Sequence, residues 1–160
     1  MLQARDIMTR EVITVSTETP VSQLSKILEH RNIGGLPVVD ADGRLVGIVT
    51  QSDLVDRVRE LELPPAVNIL DFHFYLQIPS HLFKRVEKML GTTVADVMTA
   101  NPITVSPDTP VPQVAALMAK QKIHTLPVMA GGKIAGIIGK MDIIRALGKP
   151  ESEGARQDKP

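Results

Sequence analysis

Asp6-Ile7-Met8-Thr9 returns as Asp96-Val97-Met98-Thr99, 90 positions later. Outward from this pair the echo continues at the same displacement. Thr19-Pro20-Val21 returns as Thr109-Pro110-Val111, and Leu36-Pro37-Val38 as Leu126-Pro127-Val128. Gly47-Ile48-Val49 returns as Gly136-Ile137-Ile138, now displaced by 89, so one residue is missing from the turn between. A register held through four ordered landmarks is internal duplication. Two copies, each too small for a complete core, predict a pseudo-symmetric pair with clefts between the copies.

Composition bounds what such a pair can do. Apolar residues make up 43% of the 160, enough for a core, and 18 basic residues balance 18 acidic ones. A neutral chain has no long-range electrostatic pull toward nucleic acid or an anionic membrane. Without cysteine there is no disulfide, thiol nucleophile or zinc-thiolate site. Met1-Leu2-Gln3-Ala4-Arg5-Asp6 lacks the basic start and apolar run of a secretion signal, and no apolar stretch approaches membrane-spanning length. The expectation is a soluble, cytoplasmic protein.

Each copy reads β-α-β-β-α, a mixed α+β unit. In the first, Ile13 to Val15 is β-type, and Thr19 is expected to cap a helix with Pro20 at its first position. Val21, Leu24, Ile27 and Leu28 form one buried stripe. Asn32, Gly34 and Gly35 end the helix. Strands follow at Leu36 to Val39 and Leu45 to Val49, around the turn Asp40 to Gly43. A second helix begins near Ser52. The second copy repeats this order, with Gly131-Gly132 as the turn and a last helix stopped by Gly148 and Pro150. The expected division is repeat 1 over 1–62, an insert over 63–92, repeat 2 over 93–149 and a disordered polar tail over 150–160. All four aromatic residues, Phe72, Phe74, Tyr75 and Phe83, fall in the insert. It reads as partly helical, and its aromatics as buried anchors or dimer contacts.

Together the Asp-apolar-Met-Thr pairs, the Leu-Pro-Val strands and Gly47-Ile48-Val49-Thr50-Gln51-Ser52-Asp53 resemble the cystathionine β-synthase (CBS) domain, present twice. The last stretch matches that family's glycine-apolar-x-Thr/Ser-x-x-Asp/Asn nucleotide motif in full. The insert resembles that of small stand-alone prokaryotic CBS-pair proteins. The resemblance implies two repeats packed sheet to sheet about a pseudo-twofold axis, the arrangement called a Bateman module. It further implies two clefts for adenosine-containing ligands (AMP, ADP, ATP or S-adenosylmethionine), pairing into a homodimer, and an effector protein that reads the bound state.

Elementary chemistry agrees with the motif. Gly47 lets a ligand or the other repeat approach the strand. Thr50 sits where strand becomes helix, and a helix start presents unpaired N–H groups that suit phosphate. Asp53 can accept bonds from two ribose hydroxyls. Yet Thr50-x-x-Asp53 is also nearly a capping box, which needs no ligand; the resemblance favours the nucleotide. In the second copy Gly139 replaces the hydroxyl residue, Lys140 adds a cation and Asp142 keeps the carboxylate, so the second site is expected to be weaker or different in ligand. The resemblance also implies that each cleft is shared. One would combine Gly47, Thr50 and Asp53 with Thr109, Ile123, His124 and Leu126. The other would combine Gly139, Lys140 and Asp142 with Thr19, Ile33, Gly34 and Leu36. Lys122-Ile123-His124 resembles a phosphate-side histidine segment of related modules, whereas the first copy has Asn32-Ile33-Gly34 there; this resemblance favours the Asp53 cleft for a phosphorylated ligand.

Other chemistries find little support. There is no Gly-x-Ser-x-Gly elbow, and the four histidines lie far apart, so no enzyme and no catalytic cofactor are expected. Asp71, His73 and His81 match no common metal-ligand spacing. Met8 and Met98 read as core filler. A ligand-independent dimerisation module of the same fold is the alternative.

Overall fold

The computed structural model describes residues 1–59 and 92–149; the expected insert up to residue 91, with its four aromatic residues, and the expected tail lie outside them. Twelve elements follow in order. They are α1 (Ala4–Ile7), β1 (Val15–Ser16), α2 (Val21–Arg31), β2 (Gly35–Val39), β3 (Leu45–Thr50), α3 (Gln51–Arg59), α4 (Val94–Val97), β4 (Thr99–Ala100), α5 (Val111–Gln121), β5 (Thr125–Ala130), β6 (Lys133–Gly139) and α6 (Lys140–Leu147). The first copy shows the β-α-β-β-α order after a leading short helix, whereas in the second the place of β1 is held by a single parallel bridge, Val105 to Val128.

The sheets reveal something the repeat pattern does not. In the first sheet the strand order is β1-β2-β3-β4. Its β4 belongs by sequence to the second copy, with Gly47 opposite Ala100 and Ile48 opposite Thr99. The second sheet pairs β5 with β6, and Thr9 of the first copy bridges Ile137 on its outer side. The two copies have therefore exchanged their leading segments. Ala4 is fully buried in the second copy's core, with Ile7 and Met8 packed beside it, while Val94, Val97 and Met98 join the first copy's core. Backbone bonds fix the exchange: Ala4 N–H donates to the Thr109 carbonyl at 2.8 Å, and Val94 N–H to the Thr19 carbonyl at 2.8 Å.

This exchange corrects the expected role of Thr19 and Thr109. Neither caps its helix. Pro20 and Pro110 occupy the capping positions of α2 and α5 and supply no side-chain bond. The Thr19 hydroxyl instead accepts the Ser16 N–H at 3.1 Å, and Thr109 does the same with Ser106 at 3.1 Å, because a short hydroxyl reaches its own turn first. The first helical N–H groups are met across the seam. Val21 donates to the Thr92 carbonyl and Val111 to the Leu2 carbonyl, both at 2.9 Å. The orphan donors of each helix start are thus answered partly by the other copy's chain.

Glycine at two matched positions makes the exchange possible. A Cβ at Gly47 would lie 2.6 Å from Met98 Sδ and 3.0 Å from the Thr99 carbonyl oxygen. At Gly136 it would lie 2.5 Å from Met8 Sδ and 3.0 Å from the Thr9 oxygen. Gly47 therefore admits the other repeat, and the two methionines fill core as expected. The missing residue lies in the hairpins. Val39 pairs with Leu45, but Ala130 pairs with Lys133 around Gly131 and Gly132 at φ 57° and 77°, the left-handed pair a two-residue hairpin requires. Asn32 and Lys122 end α2 and α5 in the same left-handed conformation.

Candidate functional site

Strand β3 ends at Thr50 and α3 starts at the next residue, so the strand's last side chain stands at the helix mouth. Asp53, three residues on, turns back toward it. Its Oδ2 accepts the Thr50 N–H at 2.8 Å and the Thr50 hydroxyl at 3.1 Å, and Asp53 N–H approaches Thr50 Oγ1 at 3.4 Å. The capping box allowed by the spacing is therefore formed, and one carboxylate oxygen serves it. Burial pushes the Asp53 pKa above the ordinary carboxylate value. The Thr50 bonds oppose that shift, and the like charge of Asp56 one turn on adds to it.

The mouth of α3 is tied to the end of α2 in its own copy. Gln51 N–H donates to the Gly34 carbonyl at 3.0 Å and Gln51 Nε2 to the Ile33 carbonyl at 3.2 Å. Beside them, a Cβ at Gly35 would lie 3.0 Å from both Thr50 Cγ2 and Thr125 Oγ1. Thr125, buried, belongs to the second copy. The Thr50–Asp53 corner thus sits one residue from the place where β2 meets β5, and next along β5's approach lie Ile123, His124 and Leu126. Gln51, Gly35 and Thr125 were not among the sequence candidates. Their only signal was the contrast of Gly34-Gly35 with His124-Thr125 at matched positions.

At the second copy, Asp142 Oδ2 accepts the Gly139 N–H at 2.7 Å, and Asp142 Oδ1 faces Arg145 Nη1 at 3.4 Å. Lys140 N–H donates to the His124 carbonyl at 3.0 Å, so the His124 backbone holds the mouth of α6 as the Gly34 backbone holds that of α3. Gly34, Lys140 and His124 are exposed and Ile33 and Ile123 half-buried. Leu36 and Leu126 are fully buried, each in its own copy's core, so only their backbone can reach a cleft. The hydroxyls of Thr19 and Thr109 are engaged in their turns, and Gly47 lies under Met98. The structure therefore gathers Thr50 and Asp53 near Gly34, Ile33 and Thr125, and Gly139, Lys140 and Asp142 near His124.

A further depression of about 450 Å³, lined by Arg44, Leu45, Asn101, Pro102, Thr104, Met129 and Gly132, lies at the hairpin ends of β3 and β5. It shares no residue with either carboxylate corner. Among the described residues there is no cluster of three metal-ligating side chains, and no described helix is long and apolar enough to cross a membrane.

Comparison with known proteins places this architecture. An uncharacterised protein of Methanocaldococcus jannaschii is 30% identical over 151 residues, covering 89% of each chain. The crystal structure of the CBS domain pair of protein MJ0100, in complex with 5′-methylthioadenosine and S-adenosyl-L-methionine, superposes with a TM-score of 0.70. Identity is 28%, covering 92% of this chain and 97% of that one. The CBSX2 structure in complex with AMP gives a TM-score of 0.68 at 28% identity, covering 92% and 96%. The full chloroplastic CBSX2 of Arabidopsis thaliana is longer, and this chain spans 61% of it. The sequence model of the CBS domain matches residues 4–60 and 94–149. With two matched copies, their exchanged segments and two related carboxylate corners, this chain belongs to the CBS domain family as a CBS domain pair.

Proposed function

We propose that this chain is a non-enzymatic, adenine-nucleotide-binding regulatory module. It takes AMP, ADP, ATP or a related adenosyl ligand at the Asp53 and Asp142 corners, and binding changes the angle between the repeats or within a homodimer read by an effector protein. The observation that carries the reading is Asp53 itself: a half-buried carboxylate, disfavoured by burial and by Asp56, placed at a helix mouth beside the inter-repeat contact Gly35–Thr125. A capping role alone is served equally by exposed carboxylates. Asp96 bonds the Thr93 N–H at 2.9 Å and Asp6 the Gln3 N–H at 2.8 Å, both exposed. A carboxylate held in partial burial has more to gain from the two hydroxyls of a ribose. The similar structures of the MJ0100 CBS domain pair and of CBSX2 hold adenosyl ligands, which supports the ligand class.

A ligand can shift the repeats only by binding one arrangement better than the other. The seam is suited to this because each copy contributes backbone acceptors to the other's helix start. Thermal denaturation with a panel of adenosine, AMP, ADP, ATP, 5′-methylthioadenosine and S-adenosylmethionine tests the proposal. Stabilisation by at least one, growing with its concentration, is expected. No stabilisation by any of them overturns it in favour of a ligand-independent dimerisation module.

A further inference from the structure

Resting on the nucleotide reading above, we infer that the two clefts select ligands by opposite charge, with Arg145 the residue that makes the Asp142 cleft prefer multiply phosphorylated adenosines and Asp56 the residue that turns the Asp53 cleft against them. Three matched positions carry the difference. Thr50 is replaced by Gly139, Gln51 by Lys140 and Asp56 by Arg145. The first six residues of α3 hold two carboxylates and no cation, whereas those of α6 hold two cations and one carboxylate. Arg57, seventh in α3, is half-buried and matched by the buried Ala146.

Asp56 lies one helical turn beyond Asp53 in α3, and its like charge adds a minor part to the raised Asp53 pKa; a phosphate entering that corner meets the same repulsion. At the other corner the carboxylate is already accompanied by a cation, since Arg145 Nη1 lies 3.4 Å from Asp142 Oδ1. Arg145 is 70% exposed, against 15% for Asp142. Its guanidinium is therefore free to lean from the carboxylate toward a phosphate without leaving a buried charge behind. When ribose hydroxyls take up acceptor positions on Asp142, Arg145 becomes available as a planar donor suited to phosphate oxygens. Gln51, at the position matched to Lys140, is neutral and brings no cation to the first corner, and its amide donates to the Ile33 carbonyl.

Isothermal titration of the full chain separates the clefts. Asp53→Ala leaves the Asp142 cleft, and Asp142→Ala leaves the Asp53 cleft. Each is titrated with adenosine, AMP, ADP and ATP in EDTA at low salt. In the Asp53→Ala protein, affinity is expected to rise with each phosphate. Adding Arg145→Gln is expected to lower ATP affinity about 1.5–5-fold, as for an exposed ion pair, with little change for adenosine. In the Asp142→Ala protein, affinity is expected to stay level or fall with phosphate number, and Asp56→Asn to raise ATP affinity selectively. High salt should narrow each difference. Binding of adenosines with the same charge preference in both proteins overturns this inference while leaving the nucleotide reading intact. Absence of adenosine binding in the wild-type chain overturns both.

Discussion

Replacing Asp53 by Asn separates what this residue does for folding from what it does for a ligand. In the folded protein the Asp53 pKa lies above its ordinary 3.8, chiefly through burial. For an acid whose folded pKa is raised, the favourable contribution is fully present below the unfolded value and is lost as pH rises through the folded value. At pH 7 the wild type therefore carries an ionised group that the fold disfavours. Asparagine keeps the shape, and its carbonyl oxygen can accept the Thr50 N–H now held at 2.8 Å. Asp53→Asn should be at least as stable as wild type at pH 7, and any advantage should vanish as pH falls below about 3.8. Binding should move the other way. Losing charge-assisted bonds to two ribose hydroxyls costs about 1.5–3 kcal/mol, or roughly 10–150-fold in affinity for AMP. Asp53→Ala confounds the two effects, because it strands the Thr50 N–H at a cost of about 0.5–2 kcal/mol. Urea denaturation at pH 7 and at about pH 3, below the ordinary 3.8, with titration calorimetry against AMP at pH 7, gives both readouts. A variant that is less stable at pH 7 yet binds AMP unchanged would refute the reasoning and leave Asp53 as a helix cap.

Three further outcomes follow from the exchange and the seam. Gly47→Ala pushes a methyl against Met98 Sδ and the Thr99 oxygen and should cost about 1–3 kcal/mol. Met98→Ala should offset part of that cost, giving non-additive values in a denaturation cycle. Removing residues 1–9 takes Ala4, Ile7 and Met8 out of the second copy's core, so hydrogen exchange should quicken in β5 and β6 more than in β2 and β3; the reverse order would refute the exchange. Gly35→Ala brings a methyl to 3.0 Å from Thr125 Oγ1 and should lower the midpoint of thermal unfolding, with partial recovery on adding Thr125→Ala.

Much of this was legible because duplication reports itself. The matched Leu-Pro-Val strands, the turn glycines and the apolar stripe Val21, Leu24, Leu28 fall where a single periodicity puts them. Thr50 and Asp53 were legible because a capping box and a ribose-binding corner need the same spacing. The partners of α1 and α4 were not. Periodicity says which face of a segment is apolar, and it is silent on which of two nearly identical cores receives that face. Thr19 misled for a related reason, since a hydroxyl before proline can serve the turn behind it as readily as the helix ahead. Arg145 escaped because its meaning depends on lying beside Asp142, and a position one turn into a helix admits cations and anions alike.

Once each copy lends its opening segment to the other, neither can be lifted out whole. A gene fragment encoding one copy supplies a core with a strand's width missing and a loose apolar hook that fits only its counterpart. Two such fragments could still clasp each other as equals, which gives an ancestral single unit a ready route to a symmetric pair before fusion. In the fused chain, force applied near Met1 would load the far half first.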